Sequence, residues 1–140
     1  RAALAHPLVM LGTDSGGMAP DSPPPTGGVH PRAWGSAARI LGKYVRDERR
    51  VSLEEAIRKL TSLPAENLKI KDRGRLAPGY FADVVVFDPD TVRSNATYDE
   101  PRQFPDGIEH VIVNGVEIVR HGEFTAARPG TILRSGTHTG

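Results

Sequence analysis

The chain has 140 residues, 38% of them apolar and 25% charged, with a formal net charge of +1 and no cysteine. That composition suits one globular domain with a core, and it excludes an acidic or basic tail, a disulfide framework and a thiolate zinc site within the segment. No apolar stretch reaches the roughly 18–20 residues that span a bilayer, and no basic stripe points to nucleic acid, so neither a membrane nor a nucleic-acid partner is expected. The lack of cysteine accords with a reducing, cytoplasmic setting. The chain opens on Arg1 with no signal-peptide pattern, which reads as a piece of a longer protein.

Arg1 to Pro7 reads as a lead-in, and Leu8 to Leu11 as a buried strand, an apolar run bounded by turn signals. Gly12-Thr13-Asp14-Ser15-Gly16-Gly17 follows, so Asp14 stands where the strand opens into a loop. In parallel α/β folds that edge is where ligands bind. The residues themselves leave two roles open for Asp14: a site carboxylate, or a turn cap bonding nearby backbone N–H groups. Gly12 to Val29, with Pro20, Pro23, Pro24 and Pro25, forms neither helix nor interior strand. A loop of that length directly after a candidate site residue reads as a lid.

His30-Pro31-Arg32 opens a helix, with proline accepted in the first turn. Trp34, Ala37, Ala38, Leu41 and Val45 recur at helical spacing as one apolar face, with Lys43 and Asp47 paired on the other. A second helix starts at Ser52 with a capping-box pattern to Glu55, and Leu53, Ala56, Ile57 and Leu60 form its buried face. Glu54 with Arg58 and Glu55 with Lys59 read as i,i+4 pairs on a solvated face, and Pro64 ends or restarts the helix.

The character of the chain changes after Lys71. Phe81 to Phe87 reads as an apolar strand, Asp88-Pro89-Asp90 stops it, and Thr91 to Gly107 reads as a surface excursion. Glu109 to Val113 and Val116 to Arg120 flank Asn114-Gly115, the strongest short hairpin signal. A two-residue loop sets Val113 opposite Val116, Ile112 opposite Glu117 and Val111 opposite Ile118. The tail from Ala126 lacks periodicity.

These segments resemble the C-terminal part of metal-dependent amidohydrolases, and within them the N-acyl-D-amino-acid deacylases (D-aminoacylases). The likeness rests on Gly12-Thr13-Asp14-Ser15, His30-Pro31-Arg32-Ala33-Trp34-Gly35, the Arg39 to Arg46 and Ser52 to Lys59 helical runs, and Thr61-Ser62-Leu63-Pro64-Ala65. It continues through Asp72-Arg73-Gly74, Gly79 to Asp88, Val113-Asn114-Gly115-Val116 and Ala127-Arg128-Pro129-Gly130. It implies an α/β fold: the last β/α unit of a (β/α)8 barrel over residues 1–70, followed by strands of a small β-sandwich over residues 71–140.

What the resemblance implies for chemistry is zinc-dependent hydrolysis of the amide of an N-acyl-D-amino acid, a small-molecule substrate. Its main zinc ligands are histidines on upstream strands outside this chain, so the missing N-terminal barrel portion is needed and the chain alone is expected to be inactive. His6, His30, His110, His121 and His138 match no ligand motif. The resemblance gives Asp14 the role of proton acceptor and metal ligand, and assigns Arg32 and Ser15 to substrate binding. Arg32 would grip the substrate carboxylate through its guanidinium fork; the competing reading packs its stem over Trp34. Two other functions fit the same segments: a hydantoinase-like or dihydroorotase-like amidohydrolase, and a catalytically inactive fragment serving as a structural module.

Overall fold

The computed structural model describes residues 2–16, 18, 23 and 28–133. A single turn, α1 (Ala2–Ala5), precedes an extended segment that was expected to be a strand. The chain then forms α2 (Arg32–Arg39), which runs on with wider π-helical turns over Ile40–Asp47, followed by α3 (Leu53–Leu60) and α4 (Ser62–Asn67). Four strands complete it: β1 (Val84–Phe87), β2 (Ile108–Val113), β3 (Val116–Arg120) and β4 (Glu123–Phe124), in one antiparallel sheet of order β1-β2-β3-β4.

Leu8 to Leu11 is not paired in a sheet, which corrects the strand reading. A strand exists only through a neighbour's ladder of N–H and C=O groups, and the four strands present form their sheet elsewhere. The segment's polar backbone is instead taken up by α3, where the Leu11 N–H donates to the Lys59 carbonyl at 3.1 Å.

The helices form where their signals stand, with three departures. In the π-helical stretch the Glu48 N–H bonds the Lys43 carbonyl, a spacing of five residues. Side chains five apart then share a face, so Lys43 pairs with Glu48 at 3.7 Å and Asp47 pairs with Arg46. Ala37, placed on the apolar face from its spacing, is exposed, whereas Ala38 and Leu41 are buried. Within these turns Gly42 lies against the Val92 carbonyl, and a Cβ there would sit 2.4 Å from that oxygen.

At α3 the Ser52 hydroxyl caps the Glu55 N–H at 3.2 Å, as the pattern predicts. Glu55 turns to Arg58, with hydrogen bonds of 2.7 and 2.8 Å, and the expected pair of Glu54 with Arg58 gives way to it. Those bonds hold the Glu55 carboxyl down to about 2. A depressed carboxylate contributes stability that is present above its ordinary value and lost as pH falls through the folded one. Glu55→Gln should therefore destabilise the complete protein near neutral pH and matter progressively less between about 4.5 and about 2. Denaturant melts of both forms at about pH 7 and about pH 3 check this.

The core joins the two halves of the chain. Ala38, Leu41, Ala56 and Val92 are buried together, with Ile57, Leu60, Phe87 and Ile108 packed against them. Thr91 to Gly107 is thus no free excursion: Val92 is fully buried, and Arg93 bridges Asp106 through backbone and side chain. Gly107 closes this excursion at φ +73°, where a Cβ would stand 2.5 Å from the Val92 nitrogen. Gly107→Ala combines a disfavoured φ with overpacking and should cost about 1–3 kcal/mol, read as a lower Tm of the complete protein.

The sheet follows the hairpin signal. Asn114 and Gly115 both have positive φ, 49° and 78°, as a type I′ turn requires. Val113 faces Val116 and Ile112 faces Glu117 as expected, but Val111 faces Val119. A bulge between Val111 and Ile112 takes up the extra residue, Ile118. β1 begins at Val84 because Phe81 to Asp83 turn, with the Asp83 N–H bonded to the Phe81 carbonyl.

Candidate functional site

The first helical turn of α2 and the loop after the extended segment meet at one point. Arg32 Nη1 donates to Asp14 Oδ2 at 2.6 Å across eighteen positions of chain. Asp14 sits at φ +51°, a left-handed backbone that Asp tolerates better than most residues. That conformation turns its carboxylate out of the chain path, and the side chain is 90% exposed against 41% for Arg32. An exposed ion pair contributes little to stability, about 0–1 kcal/mol. This pair is a charged constellation open to solvent more than a structural tie.

His30 sets the position of Arg32. Its Nδ1 accepts the Arg32 N–H at 3.0 Å, satisfying a donor at the start of α2. The acceptor role of Nδ1 leaves the proton of the neutral ring on Nε2, which lies 3.3 Å from the Tyr98 hydroxyl. The two rings also pack edge to face at 5.1 Å. Trp34, one turn further, packs edge-on against Phe104 at 5.3 Å. The guanidinium over its ring is that of Arg102, 5.6 Å from the centroid, whereas Arg32 reaches Asp14. Tyr98, Arg102 and Phe104 therefore pack against His30 and Trp34 at the start of α2, a contribution that sequence reasoning missed.

Of the residues singled out from sequence, Asp14 and Arg32 come together. Ser15 is adjacent and exposed, its hydroxyl 3.4 Å from the Gly16 carbonyl. Half of the expected lid between Gly12 and Val29 lies outside the described residues, as does His138. Among the described residues no group of three His, Cys, Asp or Glu side chains could hold a metal ion. His6 accepts the Leu8 N–H, and His110 is engaged with Glu117 at 2.6 Å and packs edge-on against His121. At this site the hard oxygen donor is the exposed Asp14 carboxylate, a group of the kind that a zinc site takes as one of several ligands.

The segment leading to Asp14 is held from beneath by α3. Arg58 Nη2 donates to the Pro7 carbonyl at 2.6 Å. Lys59 is fully buried, bonding the carbonyls of His6 and of Val9, the latter at 2.8 Å, with Glu55 at 3.5 Å. This corrects the reading of Glu55 and Lys59 as part of a solvated face. The signal was present: Lys59 lies three residues after buried Ala56, inside the apolar stripe of the helix.

Comparison with known proteins places this arrangement. The model of the amidohydrolase family matches residues 1–119. The N-acyl-D-glutamate deacylase of Alcaligenes xylosoxydans xylosoxydans is 47% identical over 134 residues, which are 96% of this chain and 26% of that protein. The D-aminoacylase of the same organism is 42% identical over 130 residues, 93% of this chain and 25% of that protein. Among solved structures, the N-acyl-D-glutamate deacylase of Bordetella bronchiseptica, complexed with zinc and a phosphonate mimic of the tetrahedral intermediate, is 54% identical. It superposes with a TM-score of 0.63 over 64% of this chain and 19% of its own. The chain thus spans about a quarter of the length of the curated relatives it matches. A family match over most of the chain, with a structural match to a zinc-bound deacylase over 64% of it, establishes that this chain belongs to the amidohydrolase family.

Proposed function

We propose that this chain forms part of a zinc-dependent hydrolase that cleaves N-acyl-D-amino acids to a carboxylate and a D-amino acid. The observation that carries the reading is the exposed Asp14 carboxylate with the Arg32 guanidinium 2.6 Å away, in a chain similar at 47% identity to an N-acyl-D-glutamate deacylase. In this reading residues 1–70 close a (β/α)8 barrel as its last β/α unit, with Leu8–Leu11 pairing as a strand once the neighbouring barrel strands are present, and residues 71–140 supply strands of a small β-sandwich. The remaining barrel strands, with the main metal ligands, come from outside this chain, and the working protein is cytoplasmic.

Asp14 would hold zinc as one of its ligands. Zinc, when bound, supplies Lewis acidity, which polarises an acyl carbonyl and acidifies water. Asp14 accepts the proton of the attacking water and hands it to the departing amine, a transfer that needs an ionised carboxylate within hydrogen-bond reach. Arg32 binds the α-carboxylate of the substrate through two parallel N–H donors, and its place in the first turn of α2 adds the favourable field of a helix N-terminus. Ser15, beside Asp14 and exposed, offers a hydroxyl to the same substrate. His30 and Tyr98 hold the start of α2, so Arg32 works from a fixed base.

A substrate panel tests this. The complete zinc-loaded protein should hydrolyse N-acyl-D-glutamate, N-acyl-D-aspartate or an apolar N-acyl-D-amino acid, and leave the L-isomers and hydantoins untouched. Turnover of a hydantoin or dihydroorotate with none of the acylated D-amino acids would assign it to the sister activity instead.

A further inference from the structure

Lys59 is the one fully buried charge among the described residues, and it does not touch the site. Its ammonium has three donors, and three acceptors surround it: the carbonyls of His6 and Val9 and the Glu55 carboxylate. Its own backbone carbonyl accepts the Leu11 N–H at 3.1 Å. One residue of α3 therefore grips the incoming segment at three points, the last of them three positions before Asp14. Arg58 adds a fourth hold at the Pro7 carbonyl, 2.6 Å away. Beyond Leu11, no backbone hydrogen bond links residues 12–16 to another element among the described residues. Apart from the Arg32 contact to its side chain, the placement of Asp14 is thus inherited from the grip on residues 6–11.

We infer that Lys59 is a positioning residue for Asp14: its buried ammonium fixes the segment that delivers the site carboxylate, and it acts on turnover only through that carboxylate. The inference rests on the reading of Asp14 as the proton acceptor. A purely structural lysine would serve folding equally well but would leave the folded enzyme's turnover alone. Replacing the ammonium by an apolar tip leaves the two carbonyls without their buried donor, while Glu55 keeps Arg58. The segment then relaxes, and a displacement of about 1 Å at a reacting group costs on the order of a hundredfold in rate.

The test uses the complete enzyme carrying Lys59→Met, Lys59→Arg, Asp14→Asn and the double variant Lys59→Met with Asp14→Asn. Lys59→Met should lower kcat by about tenfold to a hundredfold with little change in KM. Lys59→Arg, which keeps the donors, should recover most of that loss. In the Asp14→Asn background Lys59→Met should cost almost nothing further, because the group it positions is gone. Deuterium uptake over residues 8–14 should rise in Lys59→Met at unchanged zinc content. Wild-type kcat in folded Lys59→Met, or the same fold loss with and without Asp14, overturns the inference. If Lys59→Met does not fold, Lys59→Gln, with an amide donor on a shorter stem, is judged by the same kcat criteria. Full activity of Asp14→Asn alone would instead sink the underlying reading of Asp14, while faster exchange over residues 8–14 would still report the grip itself.

Discussion

Asp14→Asn in the complete enzyme is expected to lower kcat by about 10²–10⁴, the usual contribution of a general acid–base group. The substitution keeps the size of the side chain and its ability to accept a hydrogen bond. What it removes is the capacity to take a proton at neutral pH, so the loss should fall on kcat and spare KM. Metal content should be largely retained, since among the described residues no group of three His, Cys, Asp or Glu side chains could hold a metal ion, and in the proposed reading the main ligands lie outside this chain. Fold stability should hardly move, because Asp14 is 90% exposed and its one charged partner is a surface arginine. Near-normal kcat would return Asp14 to a turn cap, a role its left-handed φ of 51° would also suit.

Arg32→Lys is expected to be damaging in a substrate-dependent way. A lysine retains the charge but cannot reproduce the two-pronged donor geometry that matches a carboxylate. With an N-acyl-D-amino acid the loss should appear mainly in kcat/KM, by about 2–4 kcal/mol. With an N-acyl amine that lacks the carboxylate, wild type and variant should be nearly equal. Equal losses on both substrates would mean that Arg32 serves Asp14, its partner at 2.6 Å in this structure, and not the ligand.

Several features of this fold were legible because they are local. Asn114-Gly115 dictates a turn with positive φ at both positions, and the structure has it. Ser52 followed by Glu55 caps α3 as its spacing requires. What the sequence hid depends on groups far apart in the chain. Leu8 to Leu11 has the apolar run of a strand, but a strand is completed by neighbours, and here α3 takes its backbone groups instead. Val92 sits in a polar, proline-punctuated stretch, and only its packing with Ala38, Leu41 and Ala56, close against Gly42 and Gly107, buries it. The pairing of Lys43 with Glu48 follows from wider helical turns that no i,i+4 rule anticipates.

The candidate site divides in the same way. Asp14 and Arg32 could be named from motif and position, but their approach to 2.6 Å is a product of the fold. Tyr98, 68 residues from His30, reaches it only because residues 92–107 pack back onto α2. Lys59 was misread because a lysine flanked by Glu55 and Arg58 looks solvated, although its spacing from Ala56 put it on the inner face. Arg73 shows the same logic away from the site. It bonds Asp83 and Asn114 and stacks over Phe81 at 4.1 Å, so the separated Asp-Arg-Gly, Ala-Asp and Asn-Gly motifs prove to be one network.

In the proposed enzyme this chain contributes to the catalytic site a carboxylate that handles the proton and a guanidinium that holds the substrate. A crystal structure of the complete zinc-loaded protein with a phosphonate analogue of an N-acyl-D-amino acid tests these two roles most directly. Arg32 is expected to leave Asp14 and fork onto the analogue's α-carboxylate. An Asp14 oxygen is expected within about 2.6–3.2 Å of the phosphonate oxygen that stands for the attacking water. An analogue bound with Arg32 still closed on Asp14, or with the phosphonate seated beyond reach of that carboxylate, would contradict them.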